Sequence, residues 1–229
     1  MSGGARNPGG LAFERFQAGR REEWLMRVGR PNAPAILFVP PLFEEMNRTR
    51  ALIVTVMNRL AKRGQCCWLV DLSGTGESER DLAHVAWRDW RHDVISAAAH
   101  IAEKSKKPLI ASLRSGALLD EGAGARGWWR FAPQDGSALV RDMGRSGLAG
   151  GVEWAGYAPS DELKADIGVA TPEPVKPLRT IRLATDRAEA DAKIDGPALW
   201  RRSEPGNSAE LAEALADDIQ KWSGECVAF

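Results

Sequence analysis

Pro108-Leu109-Ile110-Ala111-Ser112-Leu113-Arg114-Ser115-Gly116-Ala117-Leu118-Leu119 runs from an apolar strand, through a tight turn of small residues, into a helical segment. Two similar units precede it. Ala35-Ile36-Leu37-Phe38-Val39 is a continuous apolar run stopped by Pro40-Pro41, and Cys66–Val70 is another, ending at Asp71. Runs without alternation fit strands covered on both faces, as in a parallel sheet. Between them, Leu52, Val56 and Leu60, with Ile53 and Met57, predict an amphipathic helix over 47–63, stopped by Gly64. Trp87, Trp90, Val94, Ala98 and Ile101 mark a second helix. Strand, helix, strand, helix, strand, helix implies an α/β fold: a mainly parallel sheet with right-handed crossovers and helices on both faces.

Outward from this unit the signals differ in strength. Residues 1–10 read as a flexible tail and 11–229 as one domain, with Leu11–Val28 pairing as an initial hairpin and Arg30–Pro34 as a turn. After the decisive stretch, 122–127 reads as a loop, Trp128–Phe131 as a strand, 144–151 as a Gly-rich break and 151–157 as a strand entering a hairpin. Thr171–Pro177, with three prolines, reads as a linker. Leu178–Ala184 and Ala198–Arg201 read as short strands. Leu211, Leu215, Ile219 and Trp222 define a final helix, with Asn207 as its expected cap and Glu210 at the third helical position.

Composition narrows the function classes. The 229 residues carry 31 Lys+Arg and 31 Asp+Glu. A net charge of zero argues against a nucleic-acid binder, which needs a basic face. No apolar run approaches the roughly 20 residues that span a bilayer. Met1–Gly10 lacks the apolar segment of a secretory leader. Three cysteines, two of them adjacent at Cys66 and Cys67, make no disulfide framework, which points to a cytoplasmic setting. Neighbours in a strand face opposite ways, so this pair is expected in the core rather than on one metal ion. No metal or cofactor is implied. The chain has only three histidines, His84, His92 and His100, so a histidine base must be one of them.

Asp71-Leu72-Ser73-Gly74-Thr75-Gly76-Glu77-Ser78 follows the second strand. The third glycine of a dinucleotide fingerprint is absent and no P-loop motif occurs, which leaves a nucleotide-binding sheet protein as a minor alternative. The pattern is common in α/β-hydrolases, in the loop after the strand that precedes the nucleophile strand. In that fold the turn at 112–116 corresponds to the G-x-S-x-G nucleophile elbow. Small residues stand at both ends, Ser112 and Gly116, but the centre is Arg114, and a guanidinium stays protonated and cannot attack.

Pro41-Leu42-Phe43-Glu44-Glu45-Met46-Asn47-Arg48-Thr49-Arg50 resembles the first loop of the exosortase A system-associated hydrolases of the type called hydrolase 2. So do Leu113–Leu119 at the elbow, Val152-Glu153-Trp154-Ala155-Gly156-Tyr157, and Gly196-Pro197-Ala198-Leu199-Trp200 with Ser203-Glu204 behind it. The Glu-Glu-Met-Asn island is distinctive and the others are individually weak; together with Gly74 and Gly76 they span most of 35–222 in order. The resemblance implies an α/β-hydrolase fold, with arginine at the elbow centre, in bacteria that make exopolysaccharide and export proteins with a sorting tail. Partner proteins of that system are implied with it. The related loop begins His-Pro, where this chain has Val39-Pro40-Pro41. Segments between strands are short, so a reduced lid and an open site are expected.

A hydrolase of this fold takes its acid from the end of a late strand and its histidine from a loop before the last helix. Asp186 is placed for the acid. The histidine loop reads Arg201-Arg202-Ser203-Glu204-Pro205-Gly206 and holds no histidine. His92 and His100 are expected on a solvated helix face, and only His84 lies in a loop on the side where strand ends gather. Glu44 and Glu45, Arg114 and Glu204 belong to three loops that open at the C-terminal edge of the sheet, where α/β proteins bind ligands. A half-buried Arg114 needs a carboxylate. It either fastens loops with a glutamate or, with Ser115 and the N-terminus of the next helix, faces an anion such as a carboxylate, phosphate or sugar acid. Trp128, Trp129 and Trp200 are expected to pack. Two functions remain open. One is a degenerate-triad protein that binds a small anionic or saccharide ligand or a partner. The other is an ester or amide hydrolase using Ser115, or less favourably Ser112, with His84 or a carboxylate as base.

Overall fold

A computed structural model describes residues 10–146, 154 and 156–226. Eight strands form one sheet in the order β1-β2-β4-β3-β5-β6-β7-β8. The strands β1 (Leu11–Ala18) and β2 (Arg21–Val28) are the expected antiparallel hairpin. From β3 (Ala35–Val39) through β4 (Cys66–Val70), β5 (Leu109–Leu113), β6 (Gly127–Phe131), β7 (Leu178–Leu183) and β8 (Ala192–Ile194), all neighbours run parallel. The three apolar runs read from the sequence are β3, β4 and β5, and every residue in them is buried. That is the pattern of strands sandwiched by helices.

Two cores flank the sheet. On one face, α1 (Glu44–Lys62) and α5 (Ala209–Glu225) cover Ile36, Phe38, Cys67, Leu69, Trp129 and Ile181. On the other, α2 (Trp87–Lys104), α3 (Gly136–Ser146) and α4 (Asp161–Val169) cover Leu37, Val39, Cys66, Trp68 and Val70. Cys66 and Cys67 thus enter opposite cores, and all three thiols are free and buried. Among the described residues no helix is long and apolar enough to cross a membrane.

Several expectations need correction. Between β6 and β7 stand two helices, α3 and α4, where the sequence reading has only a Gly-rich break, a strand entering a hairpin and a linker. Their apolar stripes are narrow: Leu139 and Met143, then Leu163 and Ile167, are the buried anchors, and they pack into the core on the α2 face of the sheet. The segment Leu199–Arg201 is a 3-10 turn rather than a strand, and β8 lies upstream of it. The elbow leads not into an α-helix but into five residues of 3-10 helix, Arg114–Leu118. The cap of α5 is Ser208, whose hydroxyl accepts the Leu211 N–H at 3.2 Å; Asn207 lies one residue outside. The break at 144–151 and the strand at 151–157 fall mostly outside the described residues, as does the tail. Trp154 and Tyr157 form an isolated bridge.

Candidate functional site

The ends of β3, β5 and β6 meet at one edge of the sheet, and each carries a strained residue. Phe43, Arg114 and Ala132 have φ of 56°, 53° and 46°, and they are the only non-glycine residues with positive φ among those described. Such conformations cost about 1–3 kcal/mol each and persist where surroundings fix them. Arg114 is the elbow residue, and the turn has room only because of Gly116. A Cβ there would lie 2.5 Å from the Val39 carbonyl oxygen and 2.6 Å from that of Pro40.

Arg114 is fully engaged. Its Nε donates to Glu45 Oε2 at 3.2 Å and one terminal nitrogen to Glu45 Oε1 at 3.0 Å, a bidentate pair. That terminal nitrogen also donates to Gln134 Oε1, and the other donates to the Ala132 carbonyl at 3.2 Å. Gln134 Nε2 closes the ring on Glu45 Oε2 at 3.2 Å. The indole of Trp200 covers the guanidinium, 4.6 Å from its carbon to the ring centroid. The side chains of Arg114 and Glu45 are only 11% and 8% exposed, so this pair is shielded from water. Burial holds the Glu45 carboxyl above its ordinary value although Arg114 and Gln134 pull it down.

The other expected residues are placed elsewhere. Ser115 is wholly buried, and its hydroxyl accepts the Leu42 N–H at 2.9 Å. In an α/β-hydrolase, one oxyanion donor comes from this same β3–α1 loop and the other from the residue after the nucleophile. Here the Ser115 side chain occupies a loop donor. Glu44 accepts from Asn47 at 3.0 Å and lies 3.4 Å from Arg48. Glu204 is exposed and does not reach Arg114, because the 3-10 turn at Leu199–Arg201 lays Trp200 on the guanidinium and leaves Glu204 in solvent. Asp186 follows β7, where the acid belongs, but its carboxylate is bound by Arg182 at 2.8 Å and by the Ala188 N–H at 3.0 Å. Burial works to raise its pKa, but those bonds outweigh it and hold the carboxyl below the usual range.

No imidazole joins this group. His84 is exposed on the 3-10 turn Leu82–His84, 3.8 Å from Asp81. His92 is exposed on α2, as expected, and bonds Ser96 at 3.3 Å. His100 corrects the solvated-face expectation: it is half-buried, tilted against Phe16 and edge-on to Trp68. Burial lowers its pKa, aided by Lys104. Ser112, the other candidate nucleophile, is also wholly buried. Its hydroxyl donates to Asp120 at 2.7 Å, and Asp120 receives Arg130 in a bidentate pair at 2.9 and 2.6 Å.

Sequence reasoning missed Gln134, Asp120 and Trp200 as partners of these arginines and serines. Gln134 and Asp120 each follow the end of a parallel strand, which is the available signal. Beside the Arg114 group lies a cavity of about 80 Å³. Phe43, Met46, Leu72 and Tyr157 contribute its walls, and Arg50 and Asp71 its charged end. Arg50 lies 3.7 Å from the buried Asp71 carboxylate and forms an ion pair with it; burial raises the Asp71 carboxyl, and Arg50 pulls it down.

No family model matches the chain, and no curated protein matches it. Solved structures do. Est1E from Butyrivibrio proteoclasticus, solved with ferulic acid bound, superposes with a TM-score of 0.65 at 13% identity, over 94% of this chain and 100% of that one. Alpha/beta hydrolase domain-containing protein 10 from mouse gives 0.63 at 14% identity, over 94% and 98%. A fungal esterase from Rhizomucor miehei gives 0.55 at 12%, over 96% and 86%. At these identities the likeness is one of fold. The chain therefore has the α/β-hydrolase fold, with β5 as the strand that enters the elbow.

Proposed function

We propose that this chain is a non-catalytic α/β-hydrolase-fold protein of the exosortase-associated hydrolase 2 type. It acts in the cytoplasm by binding a small anionic or saccharide ligand, or a partner of the exopolysaccharide or protein-sorting system. One observation carries the reading: the elbow position is occupied by a guanidinium locked on Glu45, while the adjacent serine hydroxyl is turned inward onto Leu42. A serine nucleophile must face substrate, with a base within hydrogen-bond reach. Ser115 has neither exposure nor an imidazole beside it. The triad is degenerate in two of its three members, and the remaining acid position, Asp186, is engaged by Arg182.

Ligand binding then falls to the neighbouring cavity, where Arg50 and Asp71 offer donors and an acceptor beside the aromatic rings of Phe43 and Tyr157. A carboxylate or a hydroxyl pair matches that end, and an apolar or ring-shaped body matches the walls. The test uses the purified full chain with p-nitrophenyl acetate and, separately, a thermal-shift series with glucuronate. We expect turnover no greater than that of Ser115→Ala, and a glucuronate-dependent rise in Tm that Arg50→Ala abolishes. Ester turnover that disappears in Ser115→Ala overturns the proposal in favour of an ester hydrolase. A glucuronate shift that survives Arg50→Ala removes the cavity from the account.

A further inference from the structure

The sheet ends on one side in β1, an eight-residue strand with no proline, while the opposite edge, β8, has three residues. An exposed edge of that length is a template for pairing with another chain. Its backbone geometry follows from the hairpin. Ala18 pairs with Arg21 across the two-residue turn Gly19-Arg20, with Gly19 at φ 67°. The pair beside such a turn exchanges both hydrogen bonds, so Ala18, Phe16, Glu14 and Ala12 point their backbone groups inward to β2. Leu11, Phe13, Arg15 and Gln17 point theirs outward.

The same outward residues form the open face of the strand. Leu11 is 61% exposed and Phe13 49%, and Val169 is the only other exposed large apolar residue among those described. The opposite face of β1 is covered, with Phe16 and Ala18 buried in the core beside α2.

We propose that two copies of this chain associate through their β1 edges, antiparallel about a two-fold axis at Phe13, to form one continuous sixteen-stranded sheet. Charge selects the register. A two-fold axis perpendicular to the sheet pairs outward residues only with outward residues, so it passes through residue 13, 14 or 15 when the ladder is to use most of the strand. An axis at Glu14 sets two carboxylates opposite each other, and one at Arg15 sets two guanidiniums opposite; like charges directly across a ladder destabilise it. The axis at Phe13 pairs the two phenyl rings, sets Leu11 against the aliphatic stem of Arg15, and sets Ala12 against Glu14. Glu14 stays with Arg27 and Lys104 of its own copy, and Arg15 stays over Trp24 with Glu22. A ladder this short makes a small interface, so association is expected to depend on concentration.

The test is sedimentation of the full chain between about 1 and about 100 μM. The expected result is a monomer–dimer equilibrium shifting to dimer across that range. Phe13→Lys, which sets like charges at the axis, should leave a monomer with unchanged circular dichroism. Phe13→Pro, which removes an N–H the hairpin does not use, should do the same, whereas Val169→Lys should remain dimeric. A wild-type chain that stays monomeric throughout overturns the proposal, as does a Phe13→Lys variant that dimerises like wild type. Register is read by diamide cross-linking, which is selective because the native cysteines are buried. Phe13→Cys should couple to its counterpart faster than Gln17→Cys, and the reverse order overturns the axis at Phe13.

Discussion

Arg114 holds a left-handed conformation that only surrounding contacts can justify, and those contacts are a carboxylate, an amide, a carbonyl and an indole face. Removing one partner of a shielded ion pair leaves the other charge uncompensated, at a cost of about 3–5 kcal/mol, whereas removing both costs much less. Glu45→Ala should therefore destabilise the protein by about 3 kcal/mol. In denaturant melts, Arg114→Ala/Glu45→Ala should fall short of the summed single losses by at least about 1 kcal/mol. Additive losses would mean that the pair is not coupled. The need of Arg114 for a glutamate was legible in the sequence, because an arginine in an elbow demands an anion. The choice of Glu45 over Glu204, and the closing roles of Gln134 and Trp200, depend on how distant loops pack and leave no local trace. A second buried group lay wholly outside sequence reasoning. Asp93 is buried and accepts the Ser73 N–H at 2.8 Å, while the Ser73 hydroxyl donates to the buried Glu23 at 2.8 Å. Burial first, and the Glu23 charge after it, push the Asp93 carboxyl up to about 6, although Ser73 and Arg21 pull it down. A raised carboxyl contributes stability that is fully present below its unfolded pKa near 4 and is lost as pH rises through about 6. Asp93→Asn should abolish that slope and raise stability at pH 8 by about 2 kcal/mol. An unchanged slope would place the titration on another group.

At the scale of elements, strength of pattern decided what could be read. The runs of β3, β4 and β5 are unbroken, and α1 and α2 each bury a continuous stripe, so these elements were visible together with their order. The helices α3 and α4 rest on few buried anchors among glycines and acidic residues, and their stretches gave no element in the sequence reading. Ala198-Leu199-Trp200 is apolar enough for a strand, but a short apolar run does not distinguish a strand from another buried segment. Here it buries Leu199 and Trp200 from a single 3-10 turn. The start of α5 offers a clean discrimination. Ser208→Ala should cost about 1 kcal/mol through loss of the cap. Asn207 instead bonds Thr55 at 2.9 Å on the surface, so Asn207→Ala should cost less. A larger loss at 207 would restore the cap read from the sequence. At the elbow, Gly116→Ala drives a Cβ into two carbonyl oxygens and should destabilise more than Gly124→Ala, which meets nothing within 4 Å. Thermal melts rank the two, and equal effects would mean that the turn has slack.

For the whole molecule, the proposal separates fold from chemistry. The strand order, the elbow and its strained backbone are those of an α/β-hydrolase, and solved hydrolases superpose over nearly the full chain. The histidine count, three residues confined to 84–100, already opposed a base before the last helix, and the structure sets all three away from Ser115. An internal ion pair ties the elbow to the start of α1, and the neighbouring cavity is where the proposed ligand would bind. The most direct test of this account is intact-mass measurement of the folded protein after incubation with a fluorophosphonate probe. The account predicts an unmodified mass under conditions in which an active serine esterase labels fully. A single phosphonyl adduct mapped to Ser115 would contradict it.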